Sequence, residues 1–124
     1  MVERAYQLTI EDRPGYLYAQ IAGEKDSFEI TMSAVTEIAG ICRGRGAARL
    51  LVEHNLPGKL STLDVFKIAS RLPELYDGIF VGFVIHRAEI PDNPQFLENV
   101  ARNRGAGGHL FPTVAEAEAW LLSL

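Results

Sequence analysis

Two histidines, His54 and His86, each close a run of apolar residues, "ARLLVEH" and "GIFVGFVIH". A histidine at a strand end can serve as a base, an acid or a metal ligand. If the two strands are neighbours, the imidazoles lie close together. A metal would need a third ligand, and Asp92 is the residue that offers one. The spacing builds no complete set of nucleophile, base and orienting group, so no catalytic residue, metal or cofactor is expected. The alternative for both histidines is a polar strand end bonded to loop backbone. Cys42 falls on an apolar helical stripe and reads as a buried structural thiol rather than a nucleophile.

The stretch "LPGKLSTLDVF", Leu56 to Phe66, holds "GK" and then "ST". A phosphate-binding loop of the G-x-x-x-x-G-K-[ST] kind needs a glycine five before Gly58, where this chain has Glu53. It also needs Lys59 to adjoin the hydroxyl residue, and Leu60 intervenes. The stretch is better read as a helix start, with Ser61 as the cap and Asp64 answering it in a capping box. A cap hydroxyl at a helix N-terminus also suits a phosphate group, so Ser61 and Thr62 form a candidate regulatory, phosphorylatable pair.

The elements that position these residues follow from periodicity. "AYQLTIE" and "YLYAQIAG" alternate around "DRPG", where Pro14 and Gly15 suit a type II turn, so they read as a hairpin. Phe28, Met32, Val35, Ile38, Ala39 and Cys42 mark a first helix. Asp26 with Glu29, or Ser27, caps it, and Gly44 and Gly46 end it. "ARLLVEH" is a short buried strand. Val65, Phe66, Ala69 and Leu72 mark a second helix, closed or restarted at Pro73. "GIFVGFVIH" reads as a central strand covered on both faces. "PDNPQFLENVARNRG" reads as a third helix ending at Gly105, "HLF" as a last strand, and Thr113 with Glu116 as the cap of a final helix.

The order is β-β-α-β-α-β-α-β-α. It predicts an α/β fold with a mostly parallel sheet wound by right-handed crossovers and an antiparallel first strand. Ligands of open parallel sheets sit beyond the carboxyl ends of the strands. That leading edge collects His54, Asn55, Lys59, His86 and Arg87 as the candidate binding edge, beside Ser61 and Thr62. The trailing edge gathers Arg43, Arg45, Arg49, Arg102 and Arg104. Helix C-termini favour positive charge, which accounts for most of that cluster, and an anion or acidic partner is the other reading.

The chain has 124 residues, the size of one domain spanning 1–124, and can bury a core without staples. Its net charge of −4 argues against nucleic acid as a partner through overall charge. A single cysteine and the lack of any long apolar run or signal-peptide pattern predict a cytoplasmic protein with no membrane span. Both faces of "IFVGFVI" want cover, and a bare face would call for a homodimer.

"PGKLSTLDVFKIASRLPEL", "FLENVARNRG" and "LFPTVAEAEAWLL" together resemble the SpoIIAA-like family of STAS domains, the sulfate-transporter and anti-sigma-factor-antagonist modules. The resemblance is carried by Asn103, Arg104 and Gly105, by Phe111, and by Glu116 to Leu121, and it covers roughly Tyr6 to Leu122. It implies a right-handed β-α superhelix with successive strands adjacent. It also implies a regulatory or binding module rather than an enzyme, working on a protein partner. Better-known members present a phosphorylatable Ser or Thr where this chain has Ser61 and Thr62. In place of their D-S-S-G type signature it reads Lys59-Leu60-Ser61-Thr62-Leu63-Asp64. The fold is also similar to the lipid-carrier domains of the CRAL-TRIO group. That makes a carrier of a lipid or other small apolar ligand, lined by Phe66, Phe80, Phe83 and Phe96, the alternative expectation.

Overall fold

The structure, a computed structural model, describes residues 6–86, 88–89 and 107–124. It opens with β1 (Gln7–Arg13) and β2 (Tyr16–Ala22), an antiparallel hairpin with Arg13 opposite Tyr16. Gly15 has φ 89°, the positive value that a type II turn asks of its third residue. A Cβ there would lie 2.7 Å from Leu122 Cδ2. Gly15→Ala therefore meets both backbone strain and a clash, and is expected to cost about 1 kcal/mol or more. An unchanged midpoint of thermal denaturation would refute this.

The described chain continues with α1 (Phe28–Arg45), β3 (Arg49–Asn55), β4 (Gly58–Lys59), α2 (Thr62–Leu75), β5 (Phe80–Ile85), β6 (Ala88–Glu89), β7 (Gly107–Phe111) and α3 (Val114–Leu122). The main sheet has the order β1-β2-β3-β5-β7, antiparallel at β1–β2 and parallel elsewhere. The α/β winding expected from the alternation is the one observed. β4 and β6 form a separate two-stranded parallel pair that periodicity did not anticipate, because two residues per strand carry no pattern. The expected third helix, with Asn93, Phe96, Asn103 and Gly105, lies outside the described residues.

Helix ends differ from expectation in three places. Ser27, not Asp26, caps α1 by accepting from the Ile30 amide at 3.1 Å. The helix then runs through Gly44 and stops at Gly46, which takes the left-handed conformation with φ 66°. Pro73 lies inside α2 rather than closing it. Its missing N–H removes one bond in the final turn, and the Tyr76 amide still caps the end by donating to the Leu72 carbonyl at 2.9 Å.

Strand alternation divides the core between the two faces of the sheet. Leu17, Ala19, Ile21, Leu50, Val52 and Val81 pack with Ala34, Ile38 and Cys42 of α1. Tyr16, Tyr18, Leu51 and Val84 face the other way, onto Ala117 and Leu121 of α3. Each fully buried Leu or Val contributes roughly 1.5–3 kcal/mol. On the second face of β5, Val84 is covered by α3 while Phe80 stays 45% exposed. Burial pushes the Cys42 thiol up to about 11, in keeping with a structural role. No helix among the described residues is long and apolar enough to cross a membrane.

Candidate functional site

β3 and β5 are neighbours, as the positions of His54 and His86 required, but their register separates the two imidazoles. His54 is opposite Ile85, one residue short of His86. A one-residue offset puts the side chains on opposite faces. The two histidines are therefore not one site. Each instead has a carboxylate partner that periodicity did not reveal, Asp26 for His54 and Glu53 for His86.

His54 points to the α1 face, where it is buried. Its Nε2 lies 3.1 Å from Oδ2 of Asp26, whose side chain is fully buried. The Thr31 hydroxyl donates to Asp26 Oδ1 at 2.5 Å, and the Ser27 amide donates to the same oxygen at 2.8 Å. The imidazole and Oδ2 are close but poorly aligned. Among the described residues, neither Oδ2 nor His54 Nδ1 has a well-directed hydrogen bond. Burial works to raise the Asp26 carboxyl. The His54 ring, the Thr31 hydroxyl and the Ser27 amide outweigh it and hold the group below the usual aspartate range. The Asp26 amide also donates to the Pro57 carbonyl at 2.9 Å, so this residue ties the β2–α1 loop to the loop that leads to Ser61.

His86 lies toward the α3 side of the sheet and is more exposed. Its Nε2 is 2.5 Å from Glu53 Oε2, and the Tyr18 hydroxyl donates to Glu53 Oε1. Burial, together with that carboxylate, raises the Tyr18 hydroxyl well above the ordinary tyrosine value. β2, β3 and the residue just after β5 thus carry one Tyr–Glu–His chain. It holds two acid–base groups and a phenol, but a fixed nucleophile beside them is not among its members. The alternation within β3 was the available signal, since Glu53 must face away from His54.

Ser61 behaves as the S-x-x-D spacing predicts. It caps α2, accepting from the Asp64 amide at 3.0 Å. Ser61→Ala is expected to cost about 1 kcal/mol, read as a lower urea midpoint with an unchanged slope. Thr62 is the first helical residue and, like Ser61, is exposed. Asn55 ends β3 opposite Ala22. Lys59 is described through its backbone, which pairs with Glu89 in the β4–β6 ladder, and Arg87 lies outside the described residues. The leading edge therefore brings His54, Asn55, the Lys59 backbone, Ser61, Thr62 and His86 to one end of the sheet, with the histidines on separate faces.

No protein-family model matches the chain, and no curated protein matches it. Among solved structures it is similar to a crystal structure of an anti-sigma factor antagonist from Mycobacterium paratuberculosis. The TM-score is 0.58 at 18% identity, over 94% of this chain and 94% of that one. The fold is SpoIIAA-like. Ser61 caps α2 and Thr62 opens it, and α2 follows β3 and the short β4.

Proposed function

We propose that the chain is a cytoplasmic, non-enzymatic STAS-like regulatory module, one domain over 1–124, that docks a protein partner through its leading-edge loops. Ser61 and Thr62 serve as its switch position. The observation that carries this is the exposed start of α2. Ser61 and Thr62 stand in solvent beside Leu63, which is 60% exposed, just after a segment anchored by the Asp26 amide at Pro57. An exposed apolar side chain next to two hydroxyls suits a partner that senses a change of charge. A phosphate on Thr62 would meet first-turn amides, which favour it, and Asp64, which opposes it. The SpoIIAA-like fold and its similarity to an anti-sigma factor antagonist support the regulatory reading.

The carrier alternative has less support from two of its four phenylalanines. Phe80 and Phe83 project from opposite faces of β5, Phe80 toward Trp120 at 6.3 Å between ring centroids and Phe83 toward Tyr76 at 6.4 Å. They do not enclose one cavity, and Phe96 lies outside the described residues. The test compares the unaltered chain with Thr62→Glu and Ser61→Ala in recovery of partner proteins from an extract of the host. Thr62→Glu is expected to release a partner that Ser61→Ala retains. Identical recovery by all three forms would end the switch reading.

A further inference from the structure

The trailing edge, at the opposite end of the sheet from Ser61, carries a cleft of about 470 Å³ between the β1–β2 turn and the loop joining α1 to β3. Small-molecule pockets run from roughly 300 to 1,000 Å³. Three arginines from three different elements line it: Arg13 of β1, Arg45 at the end of α1, and Arg49 at the start of β3. The preference of helix C-termini for cations accounts for Arg45, but not for Arg13 or Arg49, which lie on strands. Among the described residues Asp12 is the one carboxylate in the lining, so three arginines face it there, with Glu11 beside Arg13.

The three guanidinium groups are committed to different degrees. Arg13 uses Nε and Nη2 on Glu11 at 3.0 and 2.9 Å, reaches Tyr16 through Nη1 at 3.4 Å, and stacks over the Tyr18 ring at 3.8 Å. It is a fixed wall. Among the described residues, Arg45 gives only Nη1 to Asp12, at 2.9 Å, and Arg49 gives only Nη2 to the main-chain oxygen of Leu124, the last residue of the sequence, at 2.7 Å. Each keeps one edge of its fork for another acceptor. Two such forks on either side of a short loop match the several oxygens of a dianionic group better than a single carboxylate, which one fork satisfies. Between them the floor is small or apolar, with Gly15, Leu17, Ala47 and Ala48. We propose that this cleft binds a small soluble phosphomonoester, its phosphate held by Arg45 and Arg49 and its compact body resting on the alanine floor. The site stands apart from the switch at α2, and neither requires the other.

The test follows backbone amide NMR signals during titration with inorganic phosphate and with glycerol 3-phosphate, against sodium chloride at matched ionic strength. Saturable shifts are expected at Gly15, Ala47 and Ala48, tighter for glycerol 3-phosphate than for phosphate. Arg45→Gln and Arg49→Gln should each weaken binding about tenfold or more, one lost charge-assisted contact. Arg71→Gln, which makes the same charge change on α2, should leave it intact. Thermal melts of the variants, with midpoints close to the parent, show that the fold is retained. Absence of saturable shifts overturns the proposal, as does equal weakening by Arg71→Gln. A second arm sediments the protein with phosphatidic acid vesicles. Cosedimentation abolished by the Arg45 and Arg49 changes would place the phosphate on a lipid and overturn the soluble-ligand assignment.

Discussion

Replacing His54 by alanine is expected to lower stability by about 1–3 kcal/mol, the scale for taking a polar neighbour away from a buried polar group. The cost arises at Asp26. Its carboxylate is fully buried and would retain the Thr31 hydroxyl and the Ser27 amide but lose the ring 3.1 Å from Oδ2. Replacing Asp26 and His54 together by apolar residues of similar volume should recover much of the loss, because no charge is then stranded. The pH dependence has a definite sign. The folded Asp26 carboxyl is held below its unfolded value, so its contribution is present above about pH 4 and is lost as pH falls through the folded value. His54→Ala should flatten that acid limb. Urea unfolding of the parent, the single variant and the double variant across pH 3 to 7 gives the answer. A single variant as stable as the parent would show that the pair contributes nothing.

The second large effect is expected at Gly82→Val, about 2 kcal/mol of destabilisation. A Cβ at Gly82 would stand 3.3 Å from the Ala117 Cβ and 3.5 Å from the Phe111 ring, on a central strand with α3 directly above. Neither neighbour is the free end of a flexible chain, so α3 must lift. The chain's one tryptophan, Trp120, lies 5.5 Å from Phe111 and 4.6 Å from His109 between ring centroids, and it reports on that movement. A red-shifted emission together with a lower urea midpoint is the expected result. An unshifted spectrum at unchanged stability would mean that the gap above Gly82 is wide enough for a side chain.

The strands and helices that build the fold were legible because their burial is periodic. β3, β5 and α2 lie where apolar spacing put them, and the caps at Ser61 and Thr113 follow from S/T-x-x-D/E alone. What could not be read was pairing. His54 and His86 both end parallel strands on neighbouring positions, and only the register of β3 against β5 sends them to opposite faces. Asp26, in a capping box with Glu29, reads from spacing as the cap of α1, with Ser27 as its rival. The choice was decided by a tertiary contact, His54 claiming the aspartate and leaving the cap to serine. Glu53 drew no notice because a charged residue in a buried strand has no partner in its own segment. Its partners, Tyr18 and His86, come from the strands on either side.

The β4–β6 ladder has a consequence for access in time. It joins two residue pairs, Gly58 with Ala88 and Lys59 with Glu89, apart from the five-stranded sheet. So short a ladder opens at far lower free energy than the core strands and forms its own cooperative unit. Amide hydrogens at Lys59 should exchange while those of Leu51 and Val52 remain protected. The segment that leads to Ser61 can therefore take an extended form by this local opening, without waiting for the domain to unfold. The Asp26 amide bonded to the Pro57 carbonyl holds the chain just before the ladder, so the Asp26 amide should exchange more slowly than that of Lys59.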